Sequence, residues 1–235
     1  MPTYKTKAII LSSYPYREHD RIVSLYSREY GRMDARSRGA RKIQSKLAGH
    51  LEPFIETELL LARGKRWDIL AGSRTTAAHR ELRGDISAIA AASVCVEAVR
   101  LITKPLAADG RVFWLLGQAL RAVSRVTSHP KAARLLAARF LWQLLALSGF
   151  APELNACITT RVLVASGSFS FEGGGVLCED AARHDPFAVP VDAQTLAQLR
   201  ENRIETQEAE DIVVRYWRRV VDFAELRSWK FLTTI

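Results

Sequence analysis

The spacing of apolar positions along the chain changes near residue 80. Before it, apolar, β-branched and aromatic residues form short runs mixed with polar ones: YKTKAIILSSY at 4–14, DRIVSLYSREY at 20–30, MDARSRGA at 33–40, FIETELLLA at 54–62 and WDILAGS at 67–73. Runs of this length predict five strands, punctuated by the Pro15–Tyr16–Arg17 turn, by Gly31 and by the tight turn Arg63–Gly64–Lys65. A longer basic connection separates the third run from the fourth, and the whole predicts a small closed or partly closed barrel over residues 1–80.

Beyond residue 80 the period is helical. The segment 84–103 is Ala-rich with Asp85 as its N-cap, and 109–126 sets Val112, Leu115, Leu116, Ala119, Leu120 and Val123 on one face. The segment 129–150 opens with Pro130 in its first turn and stops at Gly149. Residues 151–186 break the pattern with Cys157, Cys178 and three consecutive glycines, 173–175, before helices resume at about 192–202 and 207–227. The predicted fold is α+β: a barrel (1–80), a helical domain in two parts (81–150 and 187–235), and a small insertion (151–186).

Charge adds a second asymmetry. The formal net charge is +9, yet residues 1–80 hold sixteen Lys/Arg against eight Asp/Glu, and the remainder eighteen against seventeen. A cationic front joined to a neutral back points to a polyanionic partner, although a solvated basic surface would have the same composition. No apolar run approaches the roughly 18 residues of a membrane span, and AIIL at 8–11 is short for a signal sequence. Three cysteines do not make a secreted disulfide framework, so the expected setting is a reducing cytoplasm.

Enzyme motifs are missing where they would be expected. Gly64–Lys65 lacks the upstream glycine and the following hydroxyl of a phosphate loop, and the glycines at 173–175 read as a turn. Histidines 19, 50, 79, 129 and 184 are scattered, with neither HExxH nor a nucleophile elbow, and REHD at 17–20 reads as a charged turn before a strand. The concentrated signal lies elsewhere. Arg32, Arg36, Arg38, Arg41, Lys42 and Lys46 are interleaved with Ser37, Gly39, Ala40 and Ser45, and Lys65 and Arg66 follow in the next turn. Small neighbours let a phosphate backbone approach, and the cations attract it without regard to sequence. These eight residues are the candidate nucleic-acid contacts. Tyr14, Tyr16, Tyr30 and Trp67 are available for base stacking, though aromatics in small barrels also fill cores.

The motifs TKAIILSS, REHDRIVSLYSREYGRM, SRGARKIQSKLAGHLEPF, LARGKRWDIL, LLALSGFAPELNAC, GGGVLC and FAELRSWKFL occur in an order that spans nearly the whole chain. In that order they resemble the RecO family of bacterial recombination mediators. The resemblance implies an N-terminal OB-fold, a helical C-terminal domain, and binding to single- and double-stranded DNA. It also implies strand annealing and cooperation with RecR to load RecA onto strands coated with single-stranded-DNA-binding protein. An OB-fold protein that binds RNA is the alternative from the residues alone, and the missing carboxylate cluster argues against a nuclease.

One departure stands out. Many members of the family carry two CxxC pairs that hold structural zinc, but Thr160 and Ala181 stand where the second cysteine of each pair would be. Cys157 and Cys178 remain, with Asp180 and His184 as poor substitutes, so the expectation is a degenerate zinc-ribbon-like remnant packed around Phe169 and Phe171, without metal or other cofactor. In the second helix, Phe113, Gly117, Arg121 and Arg125 recur every four residues, and Arg139 lies on the next. An apolar wall, a glycine gap and a guanidinium edge would suit the acidic, apolar-ended tail of single-stranded-DNA-binding protein. Phe113 in the core beside solvated arginines is the competing reading.

Overall fold

The computed structural model describes residues 2–42, 45, 48–222 and 225–235. Strands β1 (Thr3–Tyr16), β2 (Asp20–Ser27), β3 (Gly31–Ser37), β4 (Glu56–Ala62) and β5 (Asp68–Ala77) close into a barrel in the order β1-β2-β3-β5-β4. Four of its pairings are antiparallel. The fifth, β3 with β5, is parallel and short, Ala35 opposite Asp68 and Arg36 opposite Ile69.

The unbroken AIIL of β1 follows from burial on both faces. Ala8 and Ile10 join Val23, Leu25, Leu59 and Leu61 inside the barrel, whereas Ile9 and Leu11 turn outward and pack with Tyr26 against the helices. A strand with two covered faces has no polar alternation to show.

The helices are α1 (Ile86–Ile102), α2 (Gly110–Ser124), α3 (Pro130–Leu147), α4 (Glu179–Ala182), α5 (Ala193–Glu201), α6 (Gln207–Val220) and α7 (Arg227–Leu232). Alanines 90, 91, 92 and 98 of α1 are buried, and their small side chains let α2, α3 and α7 pack closely around it. Asp85 caps α1, accepting the Ala88 N–H at 2.8 Å and the Ser128 N–H as well, and these donors with the Ser87 hydroxyl lower its carboxyl to about 2.

Two boundaries differ from the sequence reading. The helix expected over 207–227 stops at Val220, where Asp222 adopts a left-handed φ of 53°. A new helix then starts because Glu97 of α1 accepts the first N–H groups of α7, from Arg227 at 3.1 Å and Ser228 at 2.9 Å. The insertion holds a three-stranded sheet, β6 (Gly167–Ser170), β7 (Gly175–Leu177) and β8 (Val189–Val191), which extends past residue 186. Phe169 is fully buried and meets Tyr216 of α6 edge-on at 5.4 Å, so the sheet is anchored on that helix.

The barrel is tied to the helices by polar contacts. Leu106 donates its N–H to the Arg32 carbonyl at 2.9 Å, and Tyr26 bonds the backbone of Asp109 at 3.3 Å. Gly31 has φ 72°, and a Cβ there would lie 2.3 Å from the Ala107 carbonyl oxygen, so the close approach of the two parts requires glycine.

Candidate nucleic-acid interface

Strand register gathers three turns at one mouth of the barrel. Pairing of Arg21 with Ser37 brings the β1–β2 turn beside the segment after β3, and pairing of Arg36 with Ile69 adds the β4–β5 turn. Two aspartates hold these turns. Asp20 accepts the Gly39 N–H at 2.9 Å and Arg36 Nε at 2.8 Å; the Gly39 bond and the guanidinium outweigh burial and hold its carboxyl below the ordinary value. Gly39 takes φ 65°, which starts the tight turn through Lys42. Asp68 accepts the Gly64 N–H at 3.0 Å and the Tyr4 hydroxyl; burial and that hydroxyl bond raise the Tyr4 pKa. A Cβ on Gly64 would lie 1.9 Å from the Trp67 carbonyl oxygen, so no other residue fits this turn undistorted.

From this fixed backbone project Arg38, Arg41, Lys42, Lys65 and Arg66, all exposed. Among the described residues, Arg41 bonds the carbonyls of Arg17 at 3.3 Å and Glu18 at 3.1 Å and forms no ion pair. Among the described residues, Arg38, Lys42, Lys65 and Arg66 form no ion pair. The other expected contacts fare differently. Arg36 is at the mouth but is engaged by Asp20. Arg32 is half-buried, and its Nε donates to the Thr103 carbonyl at 3.2 Å, so it also braces the helical domain. Lys46 lies outside the described residues.

Sequence reasoning missed Arg17, which is exposed at the same mouth with its guanidinium carbon 5.4 Å from the Tyr16 ring. Its place in a turn between two strands was readable; the neighbours that register gives it were not. Tyr16 meets Trp67 edge-on at 5.1 Å, and the Arg66 guanidinium lies 4.3 Å above the Trp67 ring. Tyr30 instead pairs with Tyr4 at 4.8 Å, with Arg63 over the Tyr4 ring, and Tyr14 is exposed.

The peptide groove expected at Phe113 and Gly117 is not there. Phe113 is 4% exposed and belongs to the helical core. Gly117 is buried because Glu56 of β4 and the Arg121 guanidinium sit over it, each 3.3 Å from where a Cβ would be. Arg121 Nη1 donates to Glu56 at 2.5 Å, and His79 Nε2 lies 3.1 Å from the same oxygen. The small residue makes room for the barrel. Arg125 is exposed farther along, and Arg139 donates to the Asn202 carbonyl at 3.0 Å on another face. There α2 and α3 leave a groove of about 480 Å³, lined by Trp114, Leu115, Gln118, Gln143 and Leu147. It runs into a cavity of about 230 Å³ beside Arg139 and Phe140.

Cys157 and Cys178 come near one another around Thr160, whose N–H donates to Cys157 Sγ and whose hydroxyl lies beside Cys178 Sγ, each at 3.5 Å. Burial opposes ionisation of Cys157, but bonds from Thr160 and from the backbones of Cys178 and Thr159 outweigh it and bring the thiol to about 6. Asp180 turns to Arg183 at 3.7 Å, and among the described residues no three His, Cys, Asp or Glu groups converge. Two thiols do not fit the four-ligand set of a structural zinc.

A closed five-stranded OB barrel with a cationic mouth, packed on a helical domain, defines the class of this protein. The chain belongs to the RecO family: the family descriptions "Recombination protein O N terminal" and "Recombination protein O C terminal" match residues 1–77 and 83–228. It is 33% identical over 199 residues to a DNA repair protein RecO of Dehalococcoides mccartyi, covering 84% of this chain and 77% of the relative. Similar matches are the DNA repair proteins RecO of a Synechococcus species (34%, covering 79% and 70%) and of Cutibacterium acnes (35%, covering 76% and 74%). Among the described residues no helix is long and apolar enough to cross a membrane.

Proposed function

We propose that this chain is a non-enzymatic DNA-binding mediator of recombination in DNA repair. It binds and anneals single strands and, with RecR, helps load RecA onto strands coated with single-stranded-DNA-binding protein. The observation that carries the reading is the set of cations at the barrel mouth that form no ion pair among the described residues and project from turns whose backbones are already fixed by Asp20 and Asp68. Pre-organised cations bind phosphate without first breaking an ion pair, and the gain from counterion release is independent of sequence. Two strands neutralised at one surface repel each other less, which is what annealing requires. The α2–α3 groove replaces the Phe113 face as the seat for an acidic, apolar-ended tail: Trp114 and Leu147 offer the apolar floor, and Arg139 the charge at its far end. The relatives are named for DNA repair, and nothing in the mouth favours RNA.

Arg38, Lys42, Lys65 and Arg66 changed together to Ala should weaken single-strand binding for every sequence tested. The slope of log K against log salt should flatten by about 0.7 for each phosphate no longer neutralised, and annealing should slow in parallel. The melting temperature should hold. Wild-type affinity and slope in this variant would overturn the reading, and a preference for RNA over DNA oligomers of equal length would redirect it.

A further inference from the structure

We infer that Trp67 is a stacking seat for one unpaired base, so that the mouth separates the single-stranded reactants of annealing from the duplex product. The inference rests on the DNA-binding reading above and deepens it. Trp67 is half-buried: Tyr16 supports it edge-on at 5.1 Å, and Arg66 covers its ring at 4.3 Å. Arg66 is exposed and, among the described residues, forms no ion pair, so only the indole holds it in place. A guanidinium over a partly exposed ring is held more weakly than a base stacked on it, so a base can displace or sandwich the guanidinium and send its charge to phosphate. The seat is rigid before any ligand arrives. Asp68 adjoins Trp67 and bonds Gly64, and the turn closes so tightly that Gly64 permits no side chain. Tyr16 is flanked in turn by the exposed Arg17 at 5.4 Å, which adds a cation beside the ring that supports the indole.

The consequence is a difference between ligands. Bases of a duplex are stacked inward and cannot reach the indole, whereas the surrounding cations act on single strand and duplex alike. When a complementary strand pairs, its partner's bases withdraw from Trp67 and the duplex keeps only the electrostatic part of the binding.

The test uses the full chain with three probes: an oligo-dT, an abasic oligomer of the same length and a duplex. Wild type should bind oligo-dT roughly tenfold more tightly than the abasic strand, the scale of one stacked base. Trp67→Leu should erase that difference while leaving abasic and duplex affinities and their salt slopes unchanged, and Trp67→Phe should restore most of it. Equal loss on all three probes, or no loss on any, overturns the inference. If Trp67→Leu melts early, Trp67→Gln and the wild-type ratio of oligo-dT to abasic binding still decide, and a wild-type ratio of one overturns it. A wild-type chain that binds none of the probes at low salt would instead remove the DNA-binding reading beneath it.

Discussion

At the barrel mouth and on α2, arginines stand beside small residues in similar patterns, yet acids treat them differently. At the mouth, Asp20 and Asp68 bond backbone N–H groups of Gly39 and Gly64, so their charge organises turns and leaves Arg38, Lys42, Lys65 and Arg66 without an ion pair among the described residues. The exceptions are Arg36, held by Asp20, and Arg63, whose guanidinium lies 3.5 Å from Asp68. On α2, Glu56 comes from another element and takes Arg121 directly, and Glu210 of α6 does the same to Arg134 of α3 at 3.0 Å. A carboxylate that accepts backbone donors builds a surface for ligands; one that accepts a guanidinium closes an interface.

The largest expected effect comes from breaking the closed interface. Glu56→Ala leaves His79 and Arg121 facing a space without their partner, at a cost of about 2 kcal/mol, below the usual range for a fully buried pair because Arg121 is partly exposed. Urea unfolding should show the loss, while the salt slope for DNA stays at wild type. The pH dependence has a definite sign. His79 and Arg121 overcome the burial of Glu56 and hold its carboxyl below the ordinary value, so the ionised form contributes stability above the normal glutamate range. That contribution disappears as the pH falls through the folded value. Glu56→Gln should therefore narrow its stability gap to wild type as the solution is acidified, and a gap independent of pH would remove Glu56 from the interface's electrostatics.

Strand runs, helix faces, the Asp85 cap and the Pro130 and Gly149 ends were legible because each depends on residues within one or two turns. The fate of the α2 face was not. Spacing put Phe113, Gly117 and Arg121 together, but what covers Gly117 and takes Arg121 is Glu56, more than 60 positions away in sequence. The bond from Arg32 to Thr103 was hidden for the same reason, since it forms only once β3 meets the α1–α2 connection. The end of α6 escaped because Glu97 of α1 starts α7 from outside. Local chemistry can be read from order; the identity of a distant partner requires register and packing.

A smaller effect should come from freeing Arg36, a cation engaged at the mouth. In Asp20→Asn the amide oxygen can still accept the Gly39 N–H, but Arg36 loses its charged partner. Stability should fall by about 1 kcal/mol, the difference between a charge-assisted and a neutral bond. DNA binding should hold or tighten, with a salt slope steeper by up to about 0.7 as Arg36 becomes available to phosphate. A large loss of affinity would mean that the carboxylate's charge, and not merely its acceptor oxygen, sets the turn.

The smallest effects test the comparison most directly, because they use two exposed arginines without ion pairs among the described residues. Arg38 lies at the mouth and Arg125 at the end of α2. Neither Arg38→Ala nor Arg125→Ala should move the melting temperature by more than about 2 °C, as neither removes a packed or capping group. Their DNA slopes should differ. Arg38→Ala should lower the single-strand slope by about 0.7, and Arg38→Lys should restore it, since a nonspecific phosphate contact needs charge and not a planar fork. Arg125→Ala should leave slope and affinity alone. Equal slope losses in the two variants would show that DNA spreads from the barrel across the helical domain, and the mouth would then be one part of a longer track.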